Sequence, residues 1–80
     1  KEIPEQIETV SLTAREGRLG ILGVLTAAGL AASSGEGRRL IRQGGVRLDG
    51  RRLDSDDVFL EPGSYLIQVG KRRFKRIRLT

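Results

Sequence analysis

The 80-residue sequence predicts an α+β fold, with two packed helices against a small, mostly antiparallel sheet of four or five strands. Three observations carry that expectation. An apolar run stops at Gly29, and a Ser33-x-x-Glu36 pair opens an arginine-rich amphipathic stretch. The second half then alternates short apolar and basic runs with glycine-containing turns.

Residues 1 to 17 mix acids with Ile3, Ile7, Val10 and Leu12 and read as a linker or lead-in segment. Pro4 suits an extended start, and Val10 and Leu12 suit an edge strand as the segment becomes ordered. The domain proper is expected over residues 18–80. Residues 18 to 28 are apolar nearly all round, with Leu19, Ile21, Leu22, Val24, Leu25, Ala27 and Ala28, and predict a buried helix. Gly29 stands where a helix end favours positive φ. Gly20 and Gly23 weaken the prediction, since each costs about 1 kcal/mol relative to Ala in a helix interior.

The second helix has clearer boundaries. Ser33 and Glu36 form a capping box, and Gly44 supplies the stop. At about 100° per residue, Gly37, Leu40 and Ile41 fall on one side, and Arg38, Arg39 and Arg42 on the other. Glu36 and Gln43 flank them. The helix therefore buries a narrow stripe and presents three guanidinium groups outward.

Val46-Arg47-Leu48 and Arg51-Arg52-Leu53 flank Asp49-Gly50, a pair that favours a type I′ hairpin turn. Asp54 to Asp57 read as a polar connecting loop. Pro62-Gly63 signals a turn into Tyr65–Val69, and Gly70-Lys71 turns that strand back into Arg73–Leu79.

Composition excludes several kinds of chemistry. With no cysteine and no histidine, there are no disulfides, no Cys/His metal sites, no Cys-His nucleophile pairs and no Ser-His-Asp triad. No G-x-x-x-x-G-K-[ST] pattern occurs, and Gly35-x-Gly37 lacks a third glycine in register. Asp54, Asp56 and Asp57 lie in an expected exposed loop, where nothing would tune a carboxylate for acid–base work. No apolar run approaches the ~20 residues that span a bilayer. The chain lacks an initiator methionine and any secretory signal, so a fragment of a soluble, cytoplasmic protein is expected.

Charge is uneven. Residues 1–37 carry three Lys/Arg against five Glu, whereas residues 38–80 carry twelve Lys/Arg against five acids. Twelve of the fifteen cations are arginine, whose planar fork suits phosphate. The basic residues form two groups. Arg38, Arg39 and Arg42 continue into Arg47, and Lys71-Arg72-Arg73-Phe74-Lys75-Arg76-Ile77-Arg78 places six cations in eight residues. Ser34 could add a phosphate contact at the helix start, although Glu36 disfavours a phosphate lying directly on that terminus. Phe59 and Phe74 are assigned to the core, and Tyr65 is open to either role. With so few free aromatics, backbone contacts and shape recognition of a structured RNA fit better than base stacking.

The run from Gly29-Leu30-Ala31 through Ser33, Glu36, Arg38-Arg39-Leu40-Ile41 and Gln43-Gly44-Gly45-Val46 to Asp49-Gly50 resembles the S-four-type RNA-binding domain. The ending from Gly63 through Tyr65 and Gln68-Val69-Gly70-Lys71-Arg72-Arg73-Phe74 to Leu79 is similar to the terminus of bacterial-type tyrosyl-tRNA synthetases. Ile3-Pro4-Glu5 resembles the segment joining this module to their anticodon-side helical domain. The likeness covers nearly the whole chain.

It implies two helices on a small sheet and binding of tyrosine tRNA, on its anticodon side and long variable arm. By position, Arg38, Arg39, Arg42 and Gln43 would face RNA from the second helix, and Lys71, Arg72 and Arg73 from the last hairpin. Together with Arg47, Ser34, Lys75 and Arg76 they make up the expected RNA-binding set, with no catalytic and no metal-ligating residue. The synthetases' HIGH- and KMSKS-type signatures are absent. The resemblance therefore implies that ATP and tyrosine bind a catalytic domain outside this chain, through which the parent enzyme would dimerise, and that this domain holds no cofactor. Position 37 is Gly where the family usually has Ala, which loosens the expected first turn of the second helix. Two other readings stand beside this one: an S-four module of a ribosome-associated factor or pseudouridine synthase, and a polybasic module for acidic membranes or protein partners.

Overall fold

Strand alternation and two glycine-terminated helices organise the computed structural model, which describes residues 7–80. The elements run β1 (Thr9–Leu12), β2 (Leu19–Gly20), α1 (Ile21–Ala27), α2 (Ser34–Arg42), β3 (Val46–Leu48), β4 (Arg51–Arg52), β5 (Phe59–Leu60), β6 (Gly63–Val69) and β7 (Arg73–Leu79). Five strands form one sheet in the order β1-β7-β6-β3-β4, and β2 pairs with β5 in a second, two-stranded sheet. Every pairing is antiparallel except that of β1 with β7. The expected α+β architecture is the observed one. The expected edge strand at Val10 and Leu12 is β1, with Val10 opposite Ile77 and Leu12 opposite Leu79. The Ile3-Pro4-Glu5 segment lies outside the described residues.

Helix α1 is shorter than residues 18–28 predict. Leu19 and Gly20 are extended and pair with Leu60 and Phe59 instead. The Ile21 amide donates to the Val58 carbonyl at 2.9 Å, so the helix begins only where this small sheet releases the chain. Gly20 is thus a boundary residue, while Gly23 remains inside the helix. Ile21, Val24 and Leu25 are fully buried. The helix ends in a Schellman motif: Leu30 N–H donates to Leu25 O at 2.9 Å and Gly29 N–H to Thr26 O at 3.1 Å. Gly29 has φ +77° at this turn. Leu30 and Leu25 are both buried, the apolar contact that accompanies such an ending.

Helix α2 follows its sequence signals. Ser33 Oγ accepts the Glu36 amide at 3.1 Å, and the Glu36 carboxylate reaches back to the Ala32 amide, one residue earlier than the usual box. A second Schellman motif closes it, with Gly45 N–H on Leu40 O at 2.9 Å and Gly44 N–H on Ile41 O at 3.0 Å. Gly37 and Ile41 are buried and Leu40 half-buried, as the stripe requires. A Cβ at Gly37 would stand 3.3 Å from both the Leu22 and Leu25 side chains, so the missing side chain lets α2 seat closely on α1.

The β3–β4 turn is the expected type I′, with Asp49 at φ 50° and Gly50 at φ 88°. One face of the five-stranded sheet supplies Val46, Ile67, Val69, Ile77 and Leu79 to the core, against Ile21, Val24, Leu25, Leu30 and Ile41. Among the described residues no polar or charged side chain is buried.

Both phenylalanines depart from their expected place in the core. Phe59 is 54% exposed, packing on Gly20 while the Arg18 guanidinium lies 4.5 Å from its ring centroid. Phe74 is half-buried but out of phase with Ile77 and Leu79, so the pleat sends it to the opposite face. Tyr65 is the aromatic packed against the core, and its hydroxyl donates to the Glu61 carbonyl.

Replacing Gly37 by Leu should destabilise the domain by about 1–3 kcal/mol through overpacking against Leu22 and Leu25. Ser33→Ala should cost about 1 kcal/mol through loss of the cap. Urea unfolding followed by circular dichroism reads both, and an unchanged midpoint for Gly37→Leu would contradict the close helix contact.

Candidate nucleic-acid interface

The inward stripe of α2 leaves Arg38, Arg39 and Arg42 exposed on its outer face. Their electrostatic situations differ. Arg38 Nε donates to the Asp56 carboxylate at 2.7 Å, across the loop that follows β4. Arg39 stands 4.0 Å from Glu36, one turn earlier. Arg42 has no carboxylate partner among the described residues. Gln43 is exposed at the C-cap, next to the carbonyl end of the helix, where cations are favoured. Ser34 is exposed at the other end. The Glu36 amide is taken by Ser33 Oγ, and the Glu36 carboxylate, bound to the Ala32 amide, puts a negative charge beside this helix start, so Ser34 offers its hydroxyl next to an acid.

The pleat divides the C-terminal basic run into three parts. Lys71 and Arg72 stand exposed in the turn between β6 and β7. Arg73 and Lys75 share the phase of Ile77 and Leu79 and lie at the rim of the helix-covered face. The Arg73 guanidinium donates to the Gly29 carbonyl at 2.9 Å, adding a link to the end of α1. The Lys75 ammonium is paired with the Glu8 carboxylate. Arg76 is on the other face, exposed, and Arg78 follows it two residues later.

Cross-strand register shows what that other face carries. Arg52, Arg47, Gln68 and Phe74 form one row across β4, β3, β6 and β7. Leu66, Arg76 and Thr9 form the next, and Ser64, Arg78 and Ser11 a third. The Arg52 side chain also crosses Gly44, where a Cβ would meet its Cδ at 3.2 Å. It thereby forms one wall of a shallow groove with Arg42, Gln43 and Leu53. The α2 face and the uncovered sheet face adjoin at this point.

Of the expected RNA-binding residues, α2 holds Ser34, Arg38, Arg39, Arg42 and, at its cap, Gln43 together on one element. Arg47 and Arg76 lie on the uncovered sheet face, and Lys71 and Arg72 in the turn. Arg73 and Lys75 are engaged with protein partners on the covered side. The sequence reading omitted Arg52 and Arg78 from that set. Both were within reach of it, because a two-residue Asp49-Gly50 turn pairs position 47 with 52, and Arg78 shares strand parity with Arg76. Asp56, expected from the sequence only as an exposed loop acid, holds Arg38. Among the described residues no group of three or more acids could hold a metal ion, and no helix is long and apolar enough to cross a membrane.

The S4 domain family matches residues 22–64. The chain is 47% identical over 77 residues to the tyrosine–tRNA ligase of Bordetella avium, with 96% of the chain and 18% of that protein aligned. It is 43% identical over 77 residues to that of Geobacter metallireducens, covering 95% of the chain and 19% of the relative. For Coxiella burnetii the figures are 40% over 79 residues, 98% and 20%. The chain thus spans about a fifth of the length of these curated relatives and matches their C-terminal part.

Because the Arg38–Asp56 pair is partly exposed, Asp56→Asn should change stability by no more than about 1 kcal/mol. The same substitution should tighten binding to heparin, a generic polyanion, by releasing the Arg38 guanidinium. Elution from a heparin column at higher salt than the unaltered protein checks the second expectation, and thermal unfolding the first.

Proposed function

The chain belongs to the S4 family of RNA-binding domains, and from that membership we propose that it docks tyrosine tRNA for a tyrosine–tRNA ligase. The observation that carries the reading is the outer face of α2. Arg38, Arg39 and Arg42 project from the side opposite Gly37 and Ile41, on a helix whose seat is set by the core. Lys71, Arg72 and Arg47 extend the cationic surface beyond the helix. The contacts are to the anticodon side and long variable arm of the tRNA.

Docking works by neutralising phosphates and releasing their counterions, so affinity is salt-dependent and shape-selective rather than read from base edges. Arginine serves here because its fork can take two phosphate oxygens at once. The functional gain is effective concentration: a tRNA held here is presented repeatedly to the catalytic part of the enzyme. ATP and tyrosine bind in that part, outside this chain, and the parent enzyme dimerises through it. The chain contributes binding and no chemistry, and it works in the cytoplasm, where tRNA is charged.

For docking through four to six phosphates, log Kobs against log salt should fall with a slope of about −3 to −5. Fluorescence anisotropy with a labelled tyrosine-tRNA transcript measures it. A transcript lacking the long variable arm should bind at least about tenfold more weakly. Equal affinity for the two would instead favour an S4 module from a ribosome-associated factor or a pseudouridine synthase. Arg42→Glu should weaken binding by about tenfold or more, the scale of one lost charge-assisted contact, and cost no more than about 1 kcal/mol of stability by putting an anion at the carbonyl end of α2.

A further inference from the structure

The face of the five-stranded sheet turned away from the helices carries four exposed arginines, of which the helix-centred reading uses Arg47 alone. Its strands present Arg47, Arg52, Arg76 and Arg78, all exposed, and no carboxylate. Two acids stand at its margin. The Asp49 carboxylate is turned into the sheet, accepting the Leu66 amide at 2.9 Å, and Asp54 lies 3.7 Å from Arg52 with 84% of its side chain exposed. Arg47, Arg76 and Arg78 have no carboxylate partner among the described residues. Gln68, Leu66 and Phe74 share this face with them and are half-buried.

We propose that this uncovered sheet face is a second RNA-binding surface, and that the RNA bound by α2 continues onto it around the β4 edge. The inference rests on the RNA-docking reading given above. Three arguments carry it. A face bearing four arginines and no strand carboxylate repels itself, and a polyanion laid over it relieves that repulsion. Arg52, lying across Gly44 beside Arg42 and Gln43, joins this face to α2 without an intervening acidic barrier other than the exposed Asp54. Leu66 and Phe74 are half-buried and the four arginines exposed, so the face suits a phosphate backbone laid across guanidinium forks. Insertion into a membrane needs apolar side chains that project.

The surface defines which cations act together. Arg76 and Arg78 reach RNA across the sheet, whereas Arg73 and Lys75, just before them on the same strand, hold protein partners on the covered side. Arg52 acts at the junction.

The test is the double variant Arg76→Gln/Arg78→Gln, measured by anisotropy with the labelled tyrosine-tRNA transcript over a range of salt. Loss of two phosphate contacts should lower the magnitude of the log–log slope by about 1–2 and weaken binding at least about fivefold. Arg15→Gln/Arg18→Gln, the same charge change in the β1–β2 connection, should leave the slope unaltered. Circular dichroism and thermal unfolding confirm that each variant is folded. If the Arg76/Arg78 variant keeps the slope and affinity of the unaltered protein while Arg42→Glu loses binding, the second surface is refuted and the helix-centred docking stands. An equal loss in the Arg15/Arg18 variant refutes it as well, since net charge alone then explains the effect. Binding to phosphatidylserine vesicles that the Arg76/Arg78 variant loses, with tRNA binding retained, also overturns it. If the unaltered protein binds no tRNA, the docking reading itself fails.

Discussion

An aliphatic contact layer between α1 and one face of the five-stranded sheet governs the rest of the molecule. Ile21, Val24 and Leu25 meet Val46, Ile67 and Ile77 there, and all six are fully buried. Neither helix could persist alone, since α1 has seven residues and α2 nine, below the length at which isolated helices are stable. Each exists because its apolar side is covered. Helix α2 is tied to this layer through Ile41 and through Gly37, whose missing Cβ lets Leu22 and Leu25 come close. The outward direction of Arg38, Arg39 and Arg42 is a consequence of that seat.

The same layer explains the surface chemistry. The core takes in no polar side chain among the described residues, so every described cation lies at the surface or its rim. Helical and strand periodicity then sort them. On α2 the sorting gathers arginines onto one side. On β7 it separates neighbours, sending Arg73 and Lys75 to one face and Arg76 and Arg78 to the other. Carboxylates modulate the outcome locally. The Arg38–Asp56 pair is open enough to solvent that its contribution is small and a phosphate can compete for the cation, whereas Lys75, half-buried, stays with Glu8. Arg42, Arg47, Arg76 and Arg78 have no such competitor among the described residues.

Legibility followed the range of the physical cause. Helix α2 was readable because its cap, stripe and stop are local, and the structure reproduces each of them at Ser33, Gly37, Ile41 and Gly44. The Asp49-Gly50 hairpin was readable for the same reason. The start of α1 was not, because Leu19 and Gly20 pair with Phe59 and Leu60, forty residues away in sequence. The aromatics misled for a related reason. Phe59 belongs to that small sheet and rests under Arg18, while Phe74 is large and apolar yet falls in the wrong phase for the core.

By itself, then, the sequence determined the fold class, the second helix with its arginine face, the type I′ turn and the family likeness. All of these depend on spacings of a few residues or on recognisable runs. The tertiary structure alone decided which carboxylate meets which cation, how the C-terminal basic run divides between two faces, and that Arg52 bridges α2 to the sheet. Those outcomes depend on strand register and on contacts between distant segments, and neither composition nor local periodicity encodes them.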